Sequence, residues 1–341
     1  MSSWTRGMGG AMHEQSEVAP AIDLTALRLQ PGSSEAQATT VAIHAACVQS
    51  GFFVITGHGL ESQIDRVLGL AREFFSLPQL DKEGAQRVDR YGFVPHRATA
   101  LDTSRQSDNT EYLDLGMADE VVVPQINQFG DVVGEYQRNA LAIAALILES
   151  LAVALSVERS FFADRMMAPQ CRLRLLHYPE VEPLPDGSLP VPNAPHTDYG
   201  ALTILATDGV PGLEVRPVHA VWTPVVTTPG SLVINSGDML ARWTNDTYRS
   251  TPHRVVGPET GERFSVPFFV NPNPATIVEA IPTCVTNDQP LRYPPVRAGD
   301  FLAARIDGST EPYVYPREGP IRHAGPTTDR GGVEDTDEDK A

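Results

Sequence analysis

Apolar residues recur at helical spacing through the first half of the chain. Residues 34–50 combine helix-forming residues with apolar positions three or four apart, and Gly51 stands where a glycine cap ends a helix. A short apolar run closed by glycines, residues 52–59, indicates a buried strand. Two further helical stripes cover residues 60–75 and 132–155. The pattern predicts helices packed against a buried strand.

Short runs with strand-like patterning dominate the chain after Cys171. The runs LRLLHY, ALTILA, GLEVRP, SLVINSG, HRVV and RFSVPFFV are separated by turns rich in Pro, Gly and Asn. This spacing is typical of an antiparallel barrel or sandwich. Because helices occupy the first half and strands the second, we predict an α+β protein built on a jelly-roll-like double sheet.

The stretch at residues 140–157, ALAIAALILESLAVALSV, approaches the length of a membrane-spanning helix. Glu149 lies in its middle, and a carboxylate is costly to place in lipid. No second span or basic loop accompanies it, so we predict a buried scaffold helix. Residues 1–20 lack the basic start and apolar run of a secretory signal, and we therefore expect a cytoplasmic protein.

Acidic residues outnumber basic ones in this 341-residue chain. The 43 Asp and Glu residues against 26 Lys and Arg give a formal net charge of -17 at pH 7. This charge opposes binding to nucleic acid and to anionic lipid, so we expect neither partner. The cysteines Cys47, Cys171 and Cys284 are isolated, which excludes a disulfide framework or a CxxC pair and indicates a reducing compartment. The sequence contains no Walker-type phosphate loop and no GxSxG motif, which excludes P-loop and α/β-hydrolase functions.

Pattern and composition divide the chain into four regions. Residues 1–19 are expected to form a flexible tail, and residues 20–135 an N-terminal region of helices and strands. Residues 136–324 contain the scaffold helix and the predicted sheet core, which we expect to pack with the preceding region as one compact domain. Residues 325–341 are acidic and too polar to bury a core, which predicts a disordered tail.

Two histidines and an aspartate form the strongest candidate for chemistry. His196 and Asp198 lie two residues apart in NAPHTDYG, so on an extended segment both side chains project from one face. His253 heads a later strand-like run that a double sheet brings across. Such a set indicates a facial triad for non-haem iron(II), with three coordination positions open. The alternative is a polar surface histidine at 196 and a capping histidine at 253, without metal.

A candidate anion site follows the second histidine. Arg263 and Ser265, in ERFSVPFF, alternate to one face of a predicted strand. A guanidinium fork beside a hydroxyl is suited to holding a carboxylate bidentately, whereas lysine offers only a point charge. The order of these residues along the chain favours the metal hypothesis over the alternative.

These residues together carry a family resemblance. The motifs are GFFVITGHG from Gly51, HYP at His177–Pro179, HTD at His196–Asp198, TPH ending at His253 and RFS at Arg263–Ser265. In this order they resemble the isopenicillin N synthase-like branch of the iron(II)/2-oxoglutarate-dependent dioxygenases. The resemblance covers the chain from about Pro20 to about Pro316. The resemblance therefore extends over most of the chain.

The resemblance implies a double-stranded β-helix, a cupin-like jelly-roll core flanked by N-terminal and scaffold helices. It also implies a dioxygenase that uses O2 to hydroxylate, desaturate or close a ring in a small molecule, such as an amino acid derivative or a secondary metabolite, antibiotics included. The implied ligands are His196, Asp198 and His253 for iron(II), Arg263 and Ser265 for the distal carboxylate of the co-substrate 2-oxoglutarate, and Tyr178 near its other end.

Leu176 departs from the family pattern. Plant members with an NYYP motif have an asparagine two residues before the tyrosine that matches Tyr178, and this chain has Leu176 there. The contact to the proximal carboxylate is then absent or supplied otherwise, with Arg174 and His177 as candidates. Two alternatives stay open: an iron oxidase that cyclises a peptide without 2-oxoglutarate, and a non-catalytic small-molecule-binding protein, which would be expected to lose a triad residue.

Segments that the family folds over the iron supply candidates for the substrate wall. The candidates are Tyr91, Phe93, Arg97, Tyr112, Arg174, Tyr199, Trp243 and Phe268. Of these, Arg97 and Arg174 are the charged candidates for a substrate carboxylate. The alternatives are core packing for the aromatic residues and surface ion pairing for the arginines. The sequence does not indicate an oligomeric state.

Overall fold

Helices and strands mix in the first half of the protein, and strands dominate the second. The computed structural model describes residues 18–85, 91–95, 110–117, 123, 125–180, 192–217, 220–258 and 260–306. Its helices are α1 (Thr25–Leu29), α2 (Ser34–Gln49), α3 (Glu61–Ser76), α4 (Gln79–Gly84), α5 (Phe129–Ala154), α6 (Phe161–Arg165), α7 (Asp238–Trp243) and α8 (Ala298–Ile306), with a 3-10 turn at Pro282–Cys284. Its strands are β1 (Ala21–Asp23), β2 (Phe52–Thr56), β3 (Gly92–Val94), β4 (Glu111–Gly116), β5 (Arg172–Tyr178), β6 (Asn193–His196), β7 (Leu202–Thr207), β8 (Leu213–Val215), β9 (Thr223–Pro224), β10 (Leu232–Ser236), β11 (His253–Val255), β12 (Arg263–Val270), β13 (Ile277–Val278) and β14 (Val296–Arg297).

Most of the strands build two facing sheets, and β13 and β14 pair separately as a third, two-stranded sheet. Among the described residues, eight strands pair in the order β1-β2-β10-β7-β12-β5-β4-β3, and β6-β11-β8-β9 form a smaller sheet. Neighbouring strands are antiparallel except β1 and β2, which are parallel. This arrangement confirms the predicted α+β class with a double-sheet core.

Alternation along the strands separates a helix-facing core from an inner face. On β12, the helix-facing residues are Phe264, Val266, Phe268 and Val270, which join one hydrophobic cluster with α2, α3 and α5. Arg263 and Ser265 fall on the opposite face of the same strand. This inner face packs against the smaller sheet through a second cluster that includes Leu176 and Tyr178 of β5 and Val215 of β8. The inner face therefore holds the candidate site between the two sheets.

Helix α2 shows how local sequence sets an element's ends. The side chain of Ser33 accepts a hydrogen bond of 3.0 Å from the backbone N–H of Ala36, which satisfies one free donor of the first turn. At the other end, Gly51 has a φ of 72°, and a Cβ there would overlap the Arg249 carbonyl oxygen. The helix ends at Gln49, one residue before the predicted limit.

The longest helix, α5, is the predicted scaffold helix. It begins at Phe129, three residues before the predicted start, because Gln128 adopts a left-handed conformation with a φ of 60° and breaks the chain direction. By length and composition alone this helix is long and apolar enough to span a membrane, and half of its most apolar window is buried inside the protein. Its buried side chains join the helix-facing cluster, while Glu149 pairs with Arg159 at 2.5 Å on the surface.

The helix-facing cluster runs across the predicted division of the chain. Helix α5 is continuous through residues 135 and 136, and the cluster contains residues from Ile22 to Leu302. The predicted boundary between residues 135 and 136 stays a prediction, and it falls inside helix α5.

The predicted tails, residues 1–19 and 325–341, lie outside the described residues except for residues 18 and 19.

A buried ion pair ties α4 to β4 on the helix-facing side. The Lys82 Nζ lies 2.8 Å from Glu111 Oε2, and both side chains are 9% exposed. His177 bonds the other carboxylate oxygen at 2.8 Å through Nδ1. Burial alone raises the pKa of Glu111, but the hydrogen bonds and charges of His177 and Lys82 hold it below its ordinary value. The pair therefore stabilises the folded chain with Glu111 ionised.

Replacing Lys82 with methionine should lower the free energy of unfolding by about 3–5 kcal/mol at pH 7, because it leaves a buried carboxylate without its cation. Urea titration measures the loss.

A carboxyl whose pKa is lower in the folded chain stabilises the fold above its ordinary pKa, and this contribution disappears as the pH falls through the folded value. The difference between K82M and the wild type should therefore shrink below a pH of about 4.

The double variant K82M/E111Q is the control for this prediction. It removes both charges, so it should recover most of the stability that K82M loses. A K82M protein as stable as the wild type at pH 7 would show that the pair is neutral to the fold.

Candidate metal centre

Three side chains converge where the two sheets face each other. His196 ends β6 and His253 begins β11, and these two residues are direct partners in the antiparallel register of the smaller sheet. Asp198 follows two residues after His196, in the loop that leads to β7. Its Oδ1 lies 3.9 Å from His196 Nε2 and 3.8 Å from His253 Nε2. The structure thus brings together the three predicted metal ligands, with ligand atoms within 4.8 Å of one another.

Backbone carbonyls fix the orientation of both imidazoles. The Nδ1 of His196 lies 2.8 Å from the Ala194 oxygen, and the Nδ1 of His253 lies 3.2 Å from the Thr251 oxygen. A proton on each Nδ1 makes these bonds and leaves the Nε2 lone pair directed at the centre. Burial and the neighbouring His253 lower the pKa of His196 to about 4, so its ring is neutral at pH 7 and able to bind a metal.

The two oxygens of the Asp198 carboxylate have different surroundings: one is bonded by residues of the main sheet, and the other faces the two histidines. Its Oδ2 accepts hydrogen bonds from the Thr203 hydroxyl at 2.5 Å and the Asn235 amide at 2.8 Å. Burial alone would raise the pKa of Asp198, but the two imidazoles and these hydrogen bonds hold it below its ordinary value. Two imidazole nitrogens and one carboxylate oxygen form a donor set that fits iron(II) with open positions.

Arg263 is the buried cation of the inner face. Its residue is 1% exposed, its Nε donates to the Val210 carbonyl at 3.3 Å, and its Nη1 donates to Ser265 Oγ at 3.3 Å. The guanidinium lies 4.7 Å from the centroid of the Tyr178 ring. No carboxylate of the described residues lies within ion-pair distance of it. A buried guanidinium beside a hydroxyl fits the carboxylate of a bound acid, which would supply the missing charge.

Leu176 is an apolar part of the same face. It is 8% exposed and lies opposite Ser265 in the register of β5 and β12. His177 points to the helix-facing side, where its ring stacks on Phe264 with centroids 4.8 Å apart. The suggestion that His177 replaces the missing asparagine is therefore wrong, because alternate residues of a strand point to opposite faces.

Arg174 and Tyr112 lie on the inner face, as a substrate wall requires. The Arg174 guanidinium lies 3.8 Å from the centroid of the Tyr112 ring. It also bonds Asp114 bidentately, with Nε to Oδ1 at 2.6 Å and Nη2 to Oδ2 at 2.7 Å. Arg174 is therefore held in place by a carboxylate of the protein itself.

Three aromatic candidates lie on the other side of the sheet. Trp243 and Phe268 have no exposed surface, and both belong to the helix-facing cluster, where Trp243 packs edge-on against Phe162 at 5.6 Å. Phe93 belongs to the same cluster and contacts Phe74 at 5.8 Å. Their assignment to a substrate wall is corrected, because a side chain buried under the helices does not line a pocket on the inner face.

The remaining candidates are only partly placed. Tyr91 is half-buried just before β3, and its proximity to Arg172 partly offsets the lowering of the Arg172 pKa by burial. Tyr199 is half-buried, with the Arg305 guanidinium 4.5 Å from its ring centroid. Arg97 lies outside the described residues. Substrate contact by these residues stays a prediction.

Sequence patterns alone missed the residues that support the triad. Thr203 and Asn235 are polar residues inside the apolar runs ALTILA and SLVINSG, and such a buried polar group signals a partner. Arg172 shares its strand face with Arg174 by simple alternation. Arg305 carries no local signal, because its partners are distant in sequence.

Helix α8 is tied to the segment between two of the candidate ligands. The Nη2 of Arg305 lies 2.8 Å from Asp238 Oδ2 and 3.4 Å from Thr197 Oγ1. The backbone N–H of Asp238 donates to the Asp198 carbonyl at 2.8 Å. Burial raises the pKa of Asp238 to about 6, and the neighbouring Arg305 charge opposes that rise. These contacts hold the HTD segment from its far side.

Two family profiles match the chain. The profile of the 2OG-Fe(II) oxygenase superfamily matches residues 169–272, which contain the three candidate metal ligands and the Arg263–Ser265 pair. The profile of the N-terminal region of non-haem dioxygenases in morphine synthesis matches residues 19–130. The two matches cover both the helical region and the double sheet.

Relatives and a solved structure agree with these profiles. A 2-oxoglutarate-Fe(II) type oxidoreductase of Aspergillus fumigatus is 30% identical over 304 residues, covering 82% of this chain and 90% of the relative. The oxidoreductase hxnY of Emericella nidulans is 29% identical, covering 83% of this chain and 88% of the relative. The crystal structure of a full-length Neurospora crassa protein in complex with alpha-KG and thymine superposes with a TM-score of 0.76 at 26% identity, covering 86% of this chain and 97% of that chain.

Replacing His196 with alanine should abolish tight iron(II) binding, because it removes one of three donor atoms. The loss should exceed the roughly 10–100-fold that follows removal of a supporting hydrogen bond. Anaerobic calorimetric titration of the apoprotein with iron(II) measures it. The variant His44→Gln, which changes a half-buried histidine bonded to Tyr248 Oη, should bind iron as the wild type does. Unchanged affinity in H196A would remove His196 from the metal centre.

Replacing Thr203 with valine should lower iron(II) affinity by about 10–100-fold, because Asp198 loses one of the two hydrogen bonds that aim its free oxygen. Valine conserves the shape of the side chain, so the fold should be retained. The same titration measures the effect, and Thr207→Val, further along the same strand, is the control. Equal losses in both variants would indicate a general effect on β7 instead.

Proposed function

The chain belongs to the 2OG-Fe(II) oxygenase superfamily, and we propose that within it the protein is a member of the isopenicillin N synthase-like branch that oxidises a small organic molecule. One observation carries this proposal. Donor atoms of His196, Asp198 and His253 converge on the same inner face that buries Arg263, which has no carboxylate partner among the described residues. A bound metal would accept the three donor atoms, and a carboxylate co-substrate would balance the charge of Arg263.

The triad residues hold the metal from one side. His196 and His253 present their Nε2 atoms, and Asp198 presents the single oxygen that Thr203 and Asn235 leave free. The other side of the metal stays open to small reactants. When bound, iron(II) and 2-oxoglutarate couple the consumption of O2 to the release of CO2 and succinate and to a two-electron oxidation of the substrate.

Arg263 and Ser265 hold the far carboxylate of the co-substrate. The guanidinium is fixed by the Val210 carbonyl and the Tyr178 ring, so it needs little reordering to accept a bidentate partner. Leu176 and Val54 contribute apolar surface to the same face. This surface excludes water from the co-substrate and strengthens the ionic contact.

The substrate is proposed to be a small molecule. The Neurospora crassa structure contains thymine together with alpha-KG, and this chain covers nearly all of that fold. The inner face of this protein offers aromatic and charged groups, Tyr112 and Arg174, beside the centre. Hydroxylation, desaturation and ring closure are all compatible with this arrangement.

The test is an anaerobic titration of the apoprotein with iron(II) and then 2-oxoglutarate, following the weak visible band of a chelated keto acid. We expect a saturable band in the wild type. Arg263→Gln should raise the 2-oxoglutarate concentration at half-saturation by about 10–100-fold, because it removes a charge-assisted bidentate contact.

Arg254→Gln is the matched control, since Arg254 follows a candidate ligand but bonds Glu214 at 2.7 Å. It should leave the titration unchanged. Iron binding with no band at any 2-oxoglutarate concentration would contradict the proposal. That result, with Leu176 in place of the usual asparagine, would favour the iron oxidase that cyclises a peptide without 2-oxoglutarate.

A further inference from the structure

Two arginines share one carboxylate on the inner face of the main sheet. Arg174 occupies both oxygens of Asp114, at 2.6 and 2.7 Å. Arg172, two residues earlier on the same face, reaches Asp114 only at 3.6 Å through Nη1. Among the described residues, no other carboxylate lies within 4.0 Å of either guanidinium. The cluster therefore carries one positive charge in excess.

The excess charge belongs to Arg172. Arg174 has its carboxylate in bidentate geometry, whereas the longer contact of Arg172 leaves its guanidinium without a close acceptor among the described residues. Burial and the charge of Arg174 lower the pKa of Arg172, which marks an unfavourable place for a cation. An anion bound there would relieve both effects. The Arg172 side chain is 30% exposed, so such an anion has access.

The strand register places this cation beside the metal centre. Thr203, whose hydroxyl bonds the triad carboxylate, is the partner of Phe269 across β7 and β12. Phe269 is in turn the partner of Arg172 across β12 and β5. Partners in register point to the same face, so Arg172 shares the inner face with Thr203 at a distance of two strand spacings, about 10 Å.

The co-substrate contacts lie further along the same strands. Ser265 pairs with Leu176 and Arg263 with Tyr178, four and six residues from the Arg172–Phe269 pair. At about 3.3 Å per residue, these groups are about 13–20 Å from Arg172 along the strand. Arg172 and Arg263 are therefore too far apart to bind the same carboxylate group.

Aromatic rings form the walls around the excess charge. The Arg172 guanidinium lies 4.8 Å from the centroid of Phe269, and the Arg174 guanidinium lies 3.8 Å from that of Tyr112. Stacking on a ring leaves the edge of a guanidinium free for a planar bidentate acceptor. A flat carboxylate with an apolar body suits this arrangement better than a hydrated inorganic anion.

We propose that Arg172 is a substrate-binding residue and that the substrate is a small organic carboxylate whose acid group it binds beside the metal centre. This inference rests on the proposed function of the same site. Sequence alone suggested Arg174 for this contact. Because Asp114 already neutralises Arg174, the inference gives Arg174 a positioning role. The substrate's apolar body then faces Tyr112 and Phe269.

The test compares small acids with their neutral amides. Protein loaded anaerobically with iron(II) and saturating 2-oxoglutarate is titrated with phenylacetate, hexanoate and the primary amide of each, by calorimetry. Saturating 2-oxoglutarate blocks capture of the probes by Arg263. At least one acid should bind about tenfold or more tightly than its amide, since a charge-assisted contact is lost in the amide. No preference for either acid would overturn the proposal.

Two variants with opposite effects locate the contact. Arg172→Gln should bring the acid-to-amide preference within about twofold of unity, and Asp114→Asn should increase it, because a second guanidinium loses its partner. Arg159→Gln, a surface arginine paired with Glu149, should leave the preference unchanged. A preference that survives in R172Q would place the anion elsewhere and overturn the assignment. The wild-type comparison needs no variant, so it stands if a variant fails to fold.

The visible band separates this inference from the proposed function. Arg172→Gln should keep the 2-oxoglutarate affinity within about twofold of the wild type, because Arg263 is a separate site. A parallel loss of 2-oxoglutarate affinity would make Arg172 a co-substrate ligand and overturn the inference alone. Absence of the band in the wild type would instead contradict the proposed function.

Discussion

The carboxylate of Asp198 joins the two sheets of this protein. One oxygen is bound by Thr203 and Asn235 of the main sheet, and the other faces two histidines of the smaller sheet. A carboxylate is costly to bury without hydrogen bonds, and the Thr203 hydroxyl and the Asn235 amide donate two of them to Asp198. The geometry of the centre therefore depends on how the main sheet holds this one side chain.

Charged side chains are paired differently on the two faces of the main sheet. On the helix-facing side, Lys82, Glu111 and His177 satisfy one another within the protein. On the inner face, no carboxylate among the described residues pairs with Arg263, and Arg172 shares Asp114 with Arg174. The chain as a whole has a net charge of -17, so these two arginines contrast with the overall charge of the protein.

Sequence patterns predicted what depends on local spacing. The helices α2, α3 and α5, the runs that became β5, β7, β10 and β12, and the convergence of His196, Asp198 and His253 all followed from period and order. Alternation assigns neighbours to opposite faces without saying which face is inner, and for this reason Phe93 and Phe268 were misplaced. Trp243 lies in helix α7 instead of a strand, and it packs under the helices. The ion pair between Arg305 and Asp238 could not be predicted from the sequence, because no local pattern connects two helices so far apart along the chain.

That tie between α8 and the HTD segment has a thermodynamic consequence. Arg305 contacts Thr197 and Asp238 behind the triad, so docking of α8 and occupation of the centre are linked equilibria. Linkage is reciprocal: whatever factor docking adds to metal affinity, the metal adds to docking. The backbone amides of residues 298–306 thus act as a remote reporter of the centre, and their rate of exchange with solvent deuterium depends on whether it is filled.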